Sequence, residues 1–276
     1  MLRNTFCHVP GIGVRTEHRL WMNGFTSWDC LLGNRQPPVS PGVQRKLLYY
    51  ATRSTEELES GNSRFFYDRL PTVEQWRLFS DFRHSTAYID IESTGVSGVD
   101  RITTIALYDG REVRCYVRGR NLDAFKNDIG RYKLLVTYNG KCFDVPFIER
   151  AFDVRLQAAH IDLRYILAGL GYRGGLKGCE KQIGINRGDL DGLDGYFAVM
   201  LWNDFRRNRN EHALETLLAY NVEDVVNLEA LMIHAHNRKL STTPFADTHR
   251  HDPPAGPELP FKPHPPTIDR IRRAHW

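Results

Sequence analysis

Asp90 and Glu92 stand two residues apart inside the run Ala87-Tyr88-Ile89-Asp90-Ile91-Glu92-Ser93-Thr94-Gly95. Successive side chains of a strand point to opposite faces, so Ala87, Ile89 and Ile91 can bury one face while the two acids share the other. Like charges this close raise each other's pKa, a cost that a cation held between them removes. The plainer reading is an amphipathic strand with a wet acidic face. Asp and Glu are poor strand formers, however, and here they interrupt an apolar β-branched run that Ser-Thr-Gly then turns. The pattern asks for a metal, provided that further oxygen ligands lie downstream.

Two places supply them. The segment Tyr138-Asn139-Gly140-Lys141-Cys142-Phe143-Asp144-Val145-Pro146-Phe147 leaves a short apolar strand and starts a helix. Asp144 before Val-Pro suits a helix N-cap, and a carboxylate where a strand of a mixed sheet ends is also placed to meet a ligand. Further on, Leu214, Leu217, Leu218, Val222, Val225, Leu228 and Met232 recur at helical core spacing. Tyr220 and Asp224 lie beside that stripe, four residues apart and so one above the other on a single face.

Taken together, Asp-x-Glu on a first strand, Asn-Gly-x-x-Phe-Asp after a middle strand and Tyr220-Asn221-Val222-Glu223-Asp224 on a late helix resemble the DnaQ-like DEDD superfamily of 3′-5′ exonucleases, on the RNase H-like fold. Tyrosine four residues before the last acid matches the tyrosine branch; the histidine branch has its histidine five before, where this chain has Ala219. His160-Ile161-Asp162-Leu163, Gly174-Gly175-Leu176-Lys177-Gly178-Cys179-Glu180 and an opening Pro-Gly-Ile-Gly extend the likeness to YprB-type RNase H-like proteins. The resemblance implies that Asp90, Glu92, Asp144 and Asp224 hold two divalent cations, Mg²⁺ or Mn²⁺. It also implies that Tyr220 positions the attacking water, that Thr94 and Gly95 lie beside the terminal nucleotide, and that Asn139 and Phe143 line the nucleic-acid groove. The partner it implies is DNA or RNA with a free 3′ end.

Elements able to position these residues can be read from periodicity. The Asp90 strand, then β-rich runs Arg101 to Tyr108 and Arg111 to Arg118 about a two-residue Asp109-Gly110 hairpin, predict a three-stranded meander. A helix over Leu122 to Tyr132, strands over 134–138 and 160–163, and helices near 145, 165–169, 176–184, 193–207 and 211–236 follow. Meander followed by alternating strand and helix predicts an α/β fold with a mixed sheet flanked by helices. Residues 1–83 read as a helical accessory region, with helices over 43–59 and 72–82, a capping box at Thr72 and Gln75, and a proline-rich break at 36–42. Pro10-Gly11-Ile12-Gly13 resembles the phosphate-gripping turn of helix-hairpin-helix modules, or is a glycine turn that simply starts a helix. Residues 84–238 form the exonuclease-like domain and 239–276 a proline-rich tail, expected to be extended, either trailing in solvent or lying across the domain, and ending in the basic stretch 269–276.

Lys177 at a helix start suits a phosphate, or is a solvated lysine. Asp162 suits a helix cap, or an acid supporting the metal ligands. The 276 residues are 41% hydrophobic and 25% charged, ordinary for a globular protein, and a net charge of +4 permits a polyanionic partner without demanding one. Five scattered cysteines without a Cys-x-x-Cys pair argue against a disulfide framework or a zinc site and for a reducing, cytoplasmic setting. No apolar run suits a membrane span. The reading is a metal-dependent 3′-5′ exonuclease; a nucleic-acid-binding adaptor without activity and an endonuclease of the same fold are its rivals.

Overall fold

The computed structural model describes residues 1–33, 35–95 and 100–275. A five-stranded sheet has the order β3-β2-β1-β4-β5, with β1 Thr86–Ser93, β2 Ile102–Tyr108, β3 Val113–Val117, β4 Leu134–Thr137 and β5 Ala159–Asp162. β1, β2 and β3 pair antiparallel, whereas β4 and β5 run parallel to β1. This is the mixed α/β sheet flanked by helices that the sequence predicts. β1 is central, so the strand carrying both acids has neighbours on either side. In register, Asp90 faces Ala106 and Glu92 faces Thr104, and the pairing slips between Glu92 and Ser93, where the strand ends.

The amino-terminal part contains α1 Val14–Met22, α2 Trp28–Leu31, α3 Pro41–Glu59, α4 Ser63–Tyr67 and α5 Leu78–Phe82. Between β3 and β5 lie α6 Phe125–Ile129 and α7 Asp144–Phe152, followed by α8 Leu163–Gly169, α9 Gly175–Ile183, α10 Gly195–Asn208, α11 Glu211–Leu240 and α12 Pro265–His275. The two faces of β1 enter different cores. Ala87, Ile89 and Ile91 pack with Phe125, Leu135, Phe147 and Ile148 on the α7 side. Tyr88 joins Val136, Val225 and Leu228 on the α11 side, in a cluster that also takes in Phe6, Phe25 and Trp28 of the amino-terminal helices. Those helices are further tied by Glu17, which accepts hydrogen bonds from the Phe6 and Cys7 amides and from Arg77, all buried.

Several local expectations are corrected. The β2–β3 connection spans 109–112 rather than two residues, because Asp109 Oδ1 accepts from the Arg111 and Glu112 amides and closes a wider turn. Residues 122–124 form a 3-10 turn and only Phe125–Ile129 is α-helical. No capping box forms at Thr72; the 3-10 helix Thr72–Arg77 starts after Pro71, and the Gln75 side chain reaches the Tyr67 carbonyl and Lys141 instead. The carboxyl-terminal segment is extended over 250–264 but not beyond it. Pro265 and Pro266 open α12, where a missing N–H costs nothing, and Ile268 and Ile271, three apart, bury one stripe of it. Trp276 lies outside the described residues. No helix of the described residues is long and apolar enough to cross a membrane.

Candidate metal centre

Because odd-numbered residues of β1 take the α7 side, Asp90 and Glu92 are turned towards α11. α11 presents Tyr220 and Asp224 there, one turn apart. Oxygens of Asp90, Glu92 and Asp224 all lie within 4.8 Å of one another. Asp144 does not join that trio: it is the first residue of α7, with Phe143 in the cap position, and its Oδ1 accepts from the Ile91 amide at 3.1 Å. The N-cap expectation is thereby replaced. Asp144 still stands against the strand between the two acids and adds to the repulsion on Asp90 and Glu92.

Burial, and then the surrounding carboxylates, push Asp90 and Glu92 well above the usual carboxylate range. Asp144 is raised to about 7, mainly by burial, although the Ile91 amide opposes this. Asp224 is raised to about 6 by burial, against the pull of the Arg187 guanidinium. Two cationic side chains face the four acids. Arg187 Nη1 lies 2.5 Å from Asp224 Oδ1 in a buried ion pair. Arg187 is itself clamped by Glu180 through Nε and Nη2 at 2.6 Å each, and Glu180 also accepts from Asn227. Lys177 Nζ donates to the Tyr220 hydroxyl at 2.9 Å and to the Leu193 carbonyl, and lies 4.6 Å from the centre of the Tyr220 ring. Four carboxylates against two cations leave a deficit of positive charge, and the donors are all hard oxygens. Such a site fits a hard divalent cation, with Asp90, Glu92 and Asp224 as the group and Asp144 beside it.

The remaining sequence-predicted residues are spread around this centre. Tyr220 is buried, and burial followed by Asp224, Glu92 and Asp90 raises its phenol pKa, so at neutral pH it is a hydrogen-bond donor and not a base. Thr94 is exposed at the end of β1 and donates to Asp100 at 2.8 Å, while the Gly95 carbonyl accepts from Ser93 Oγ. Asn139 takes the left-handed conformation, φ 67°, and Phe143 packs edge-on against Phe147. Asp162 caps α8 at Arg164 and accepts the Asn139 and Lys141 amides. It therefore acts as a cap that also fixes the turn leading to Asp144. Gly140 in that turn is required: a Cβ there would lie 2.3 Å from Thr137 Oγ1.

Three residues at the centre were not found by sequence reasoning. Asn221 is fully buried; its Nδ2 donates to Asp90 Oδ2 at 2.7 Å while its Oδ1 accepts from Thr104. A polar residue inside the apolar stripe of α11, next to Tyr220, was the available signal. Glu180 and Arg187 carried none, because their pairing depends on how the chain after α9 folds back.

A family profile described as the RNase_H superfamily matches residues 87–236, more than half the chain. A curated relative, Uncharacterized protein YprB of Bacillus subtilis (strain 168), is 30% identical over 182 residues, covering 58% of this chain and 44% of the relative. The chain thus spans less than half of that protein's length. Among solved structures, the family B DNA polymerase of the hyperthermophilic archaeon Pyrobaculum calidifontis is similar with a TM-score of 0.43 and 19% identity, covering 56% of this chain and 24% of that one.

Proposed function

The chain belongs to the RNase H superfamily, and from that premise we propose that it is a metal-dependent 3′-5′ exonuclease of the tyrosine DEDD type, hydrolysing phosphodiester bonds of DNA or RNA. The observation that carries the reading is the meeting of Asp90, Glu92 and Asp224 oxygens within 4.8 Å beneath the hydroxyl-bearing Tyr220, with Asp144 alongside. Asp90, Glu92, Asp144 and Asp224 would hold two divalent cations. When bound, such a pair supplies charge to the scissile phosphate and acidity to a water.

The chain's own residues then have distinct tasks. Asn221 holds Asp90 in one rotamer through its amide, so that carboxylate is presented without searching. The Tyr220 oxygen accepts from Lys177, which leaves its proton free to be donated to the attacking water and so to orient it. Lys177, placed by Tyr220 and Leu193, holds a positive charge beside the position where the phosphate must sit. Thr94 and Gly95 at the end of β1, and Asn139 and Phe143 after β4, would flank the terminal nucleotide.

Incubating 5′-labelled DNA and RNA, single and double stranded, with Mg²⁺, Mn²⁺ or chelator tests the proposal. A ladder shortening one nucleotide at a time from the 3′ end, abolished by chelator and by Asp90→Asn, is expected. Internal cuts from the outset would make it an endonuclease, and no cleavage of any substrate would return it to a binding role.

A further inference from the structure

A second feature of the molecule lies outside the acidic centre. After α11 the chain runs back along that helix as an extended strap, and the His264 amide donates to Thr216 Oγ1 while the His264 ring stacks on His212 at 4.1 Å. α12 is thereby laid against α10, fixed by buried Ile268 and Ile271 and by the Arg270–Asp204 ion pair. Between the two helices runs a groove in two adjoining parts of about 400 and 260 Å³, which share Tyr196 and Met200 in their lining.

The chemistry of this groove is specific. Tyr196 is 66% exposed and lines both parts of the groove, so its ring is open to a ligand there. Arg272 and Arg273 line one part and Arg207 the other, and among the described residues none of the three has a carboxylate partner. The acids in the lining are already engaged: Asp194 caps α10 at the Phe197 amide, and Asp204 accepts from Arg270, Asn208 and Asn210. An open aromatic face among unpaired guanidinium groups suits alternating bases and phosphates, and suits a single strand because a stacked base must be unpaired. One end of the groove is linked to the acidic centre through the chain. Gly192 lines the groove, and the next residue, Leu193, gives its carbonyl to Lys177, which bonds Tyr220.

We propose that the α10–α12 groove holds the upstream single-stranded part of a nucleic acid whose 3′ end lies at the acidic centre, with a base on Tyr196 and phosphates on Arg272 and Arg273. This rests on the nuclease reading above and adds the path of the strand. The full chain in chelator, titrated with fluorescein-labelled single-stranded oligonucleotides at several salt concentrations, tests it. Tyr196→Ala is expected to weaken binding of a twelve-nucleotide strand about tenfold. The Arg272→Gln/Arg273→Gln double variant should flatten the slope of log affinity against log salt by about 1.4, the value for two phosphate contacts on a single strand. Photo-crosslinking of a thiothymidine strand to the unaltered chain gives a readout independent of the variants, and adducts on α10 or α12 are expected. Folded variants that match the parent in affinity and salt slope, or adducts confined to other surfaces, would overturn the groove while leaving the nuclease reading intact. A parent chain that binds no nucleic acid at all would overturn both.

Discussion

Removing one oxygen, by Tyr220→Phe, separates the chemical part of this site from its architecture. The phenol is buried and accepts a hydrogen bond from Lys177 at 2.9 Å, so its loss is not silent for stability. A hydrogen bond to a charged donor contributes about 1.5 to 3 kcal/mol, but Lys177 keeps the Leu193 carbonyl and the face of the ring 4.6 Å away. The net cost should therefore fall at about 1 to 2 kcal/mol, a drop of several degrees in the melting midpoint at most. The chemistry should suffer more. If the phenol proton orients the attacking water, its removal slows the bond-breaking step by about ten- to a thousandfold while metal occupancy and substrate affinity change little. Single-turnover cleavage of a 5′-labelled strand at saturating Mg²⁺, together with Mn²⁺ titration of both proteins, reads the two effects apart. Equal single-turnover rates would remove Tyr220 from the mechanism and leave it as the residue that positions Lys177.

Three further outcomes follow from the geometry. Asp144 and Asp224 have folded-state pKa values raised to about 7 and 6, above the ordinary carboxylate value; a raised acid favours folding when protonated, so stability in chelator should fall by a few kcal/mol as pH rises from about 4 to 7. Melting curves should show that loss and its reversal by Mg²⁺ at pH 8; a flat profile would refute it. Asn221→Ala should destabilise by about 2 to 4 kcal/mol, since it strands buried Thr104 and frees Asp90, and should also weaken Mn²⁺ binding. Unchanged Mn²⁺ affinity would deny Asn221 its positioning role. Gly140→Ala, whose methyl group meets Thr137 at 2.3 Å, should displace the turn before Asp144 and depress both thermal stability and metal affinity, whereas parental behaviour would show that the turn tolerates a side chain.

What could be read from the sequence was what local pattern determines. Alternation in β1 placed both acids on one face, and the four-residue spacing of Tyr220 and Asp224 placed them on one side of α11. The sheet was legible because apolar β-branched runs and an Asp-Gly turn signal are local features. Arg187 and Glu180 were not legible, for the pairing of Arg187 with both Glu180 and Asp224 is a tertiary event across a glycine-rich stretch. α12 was missed for a different reason: eight prolines from Pro244 onward suggest an extended tail, yet two of them sit where a helix begins and incur no penalty there. Asp144 was read as a cap as well as a ligand because acids before Val-Pro commonly are caps, and the cap reading fails because the closeness of β1 gives it the Ile91 amide instead.

Anomalous diffraction from crystals soaked in Mn²⁺ measures the central claim without relying on a substrate. Two peaks about 3.5 to 4 Å apart, enclosed by Asp90, Glu92, Asp144 and Asp224, are the predicted result. Peaks elsewhere, or none at Mn²⁺ concentrations that saturate the protein in solution, would contradict the assignment of these four carboxylates as the metal centre.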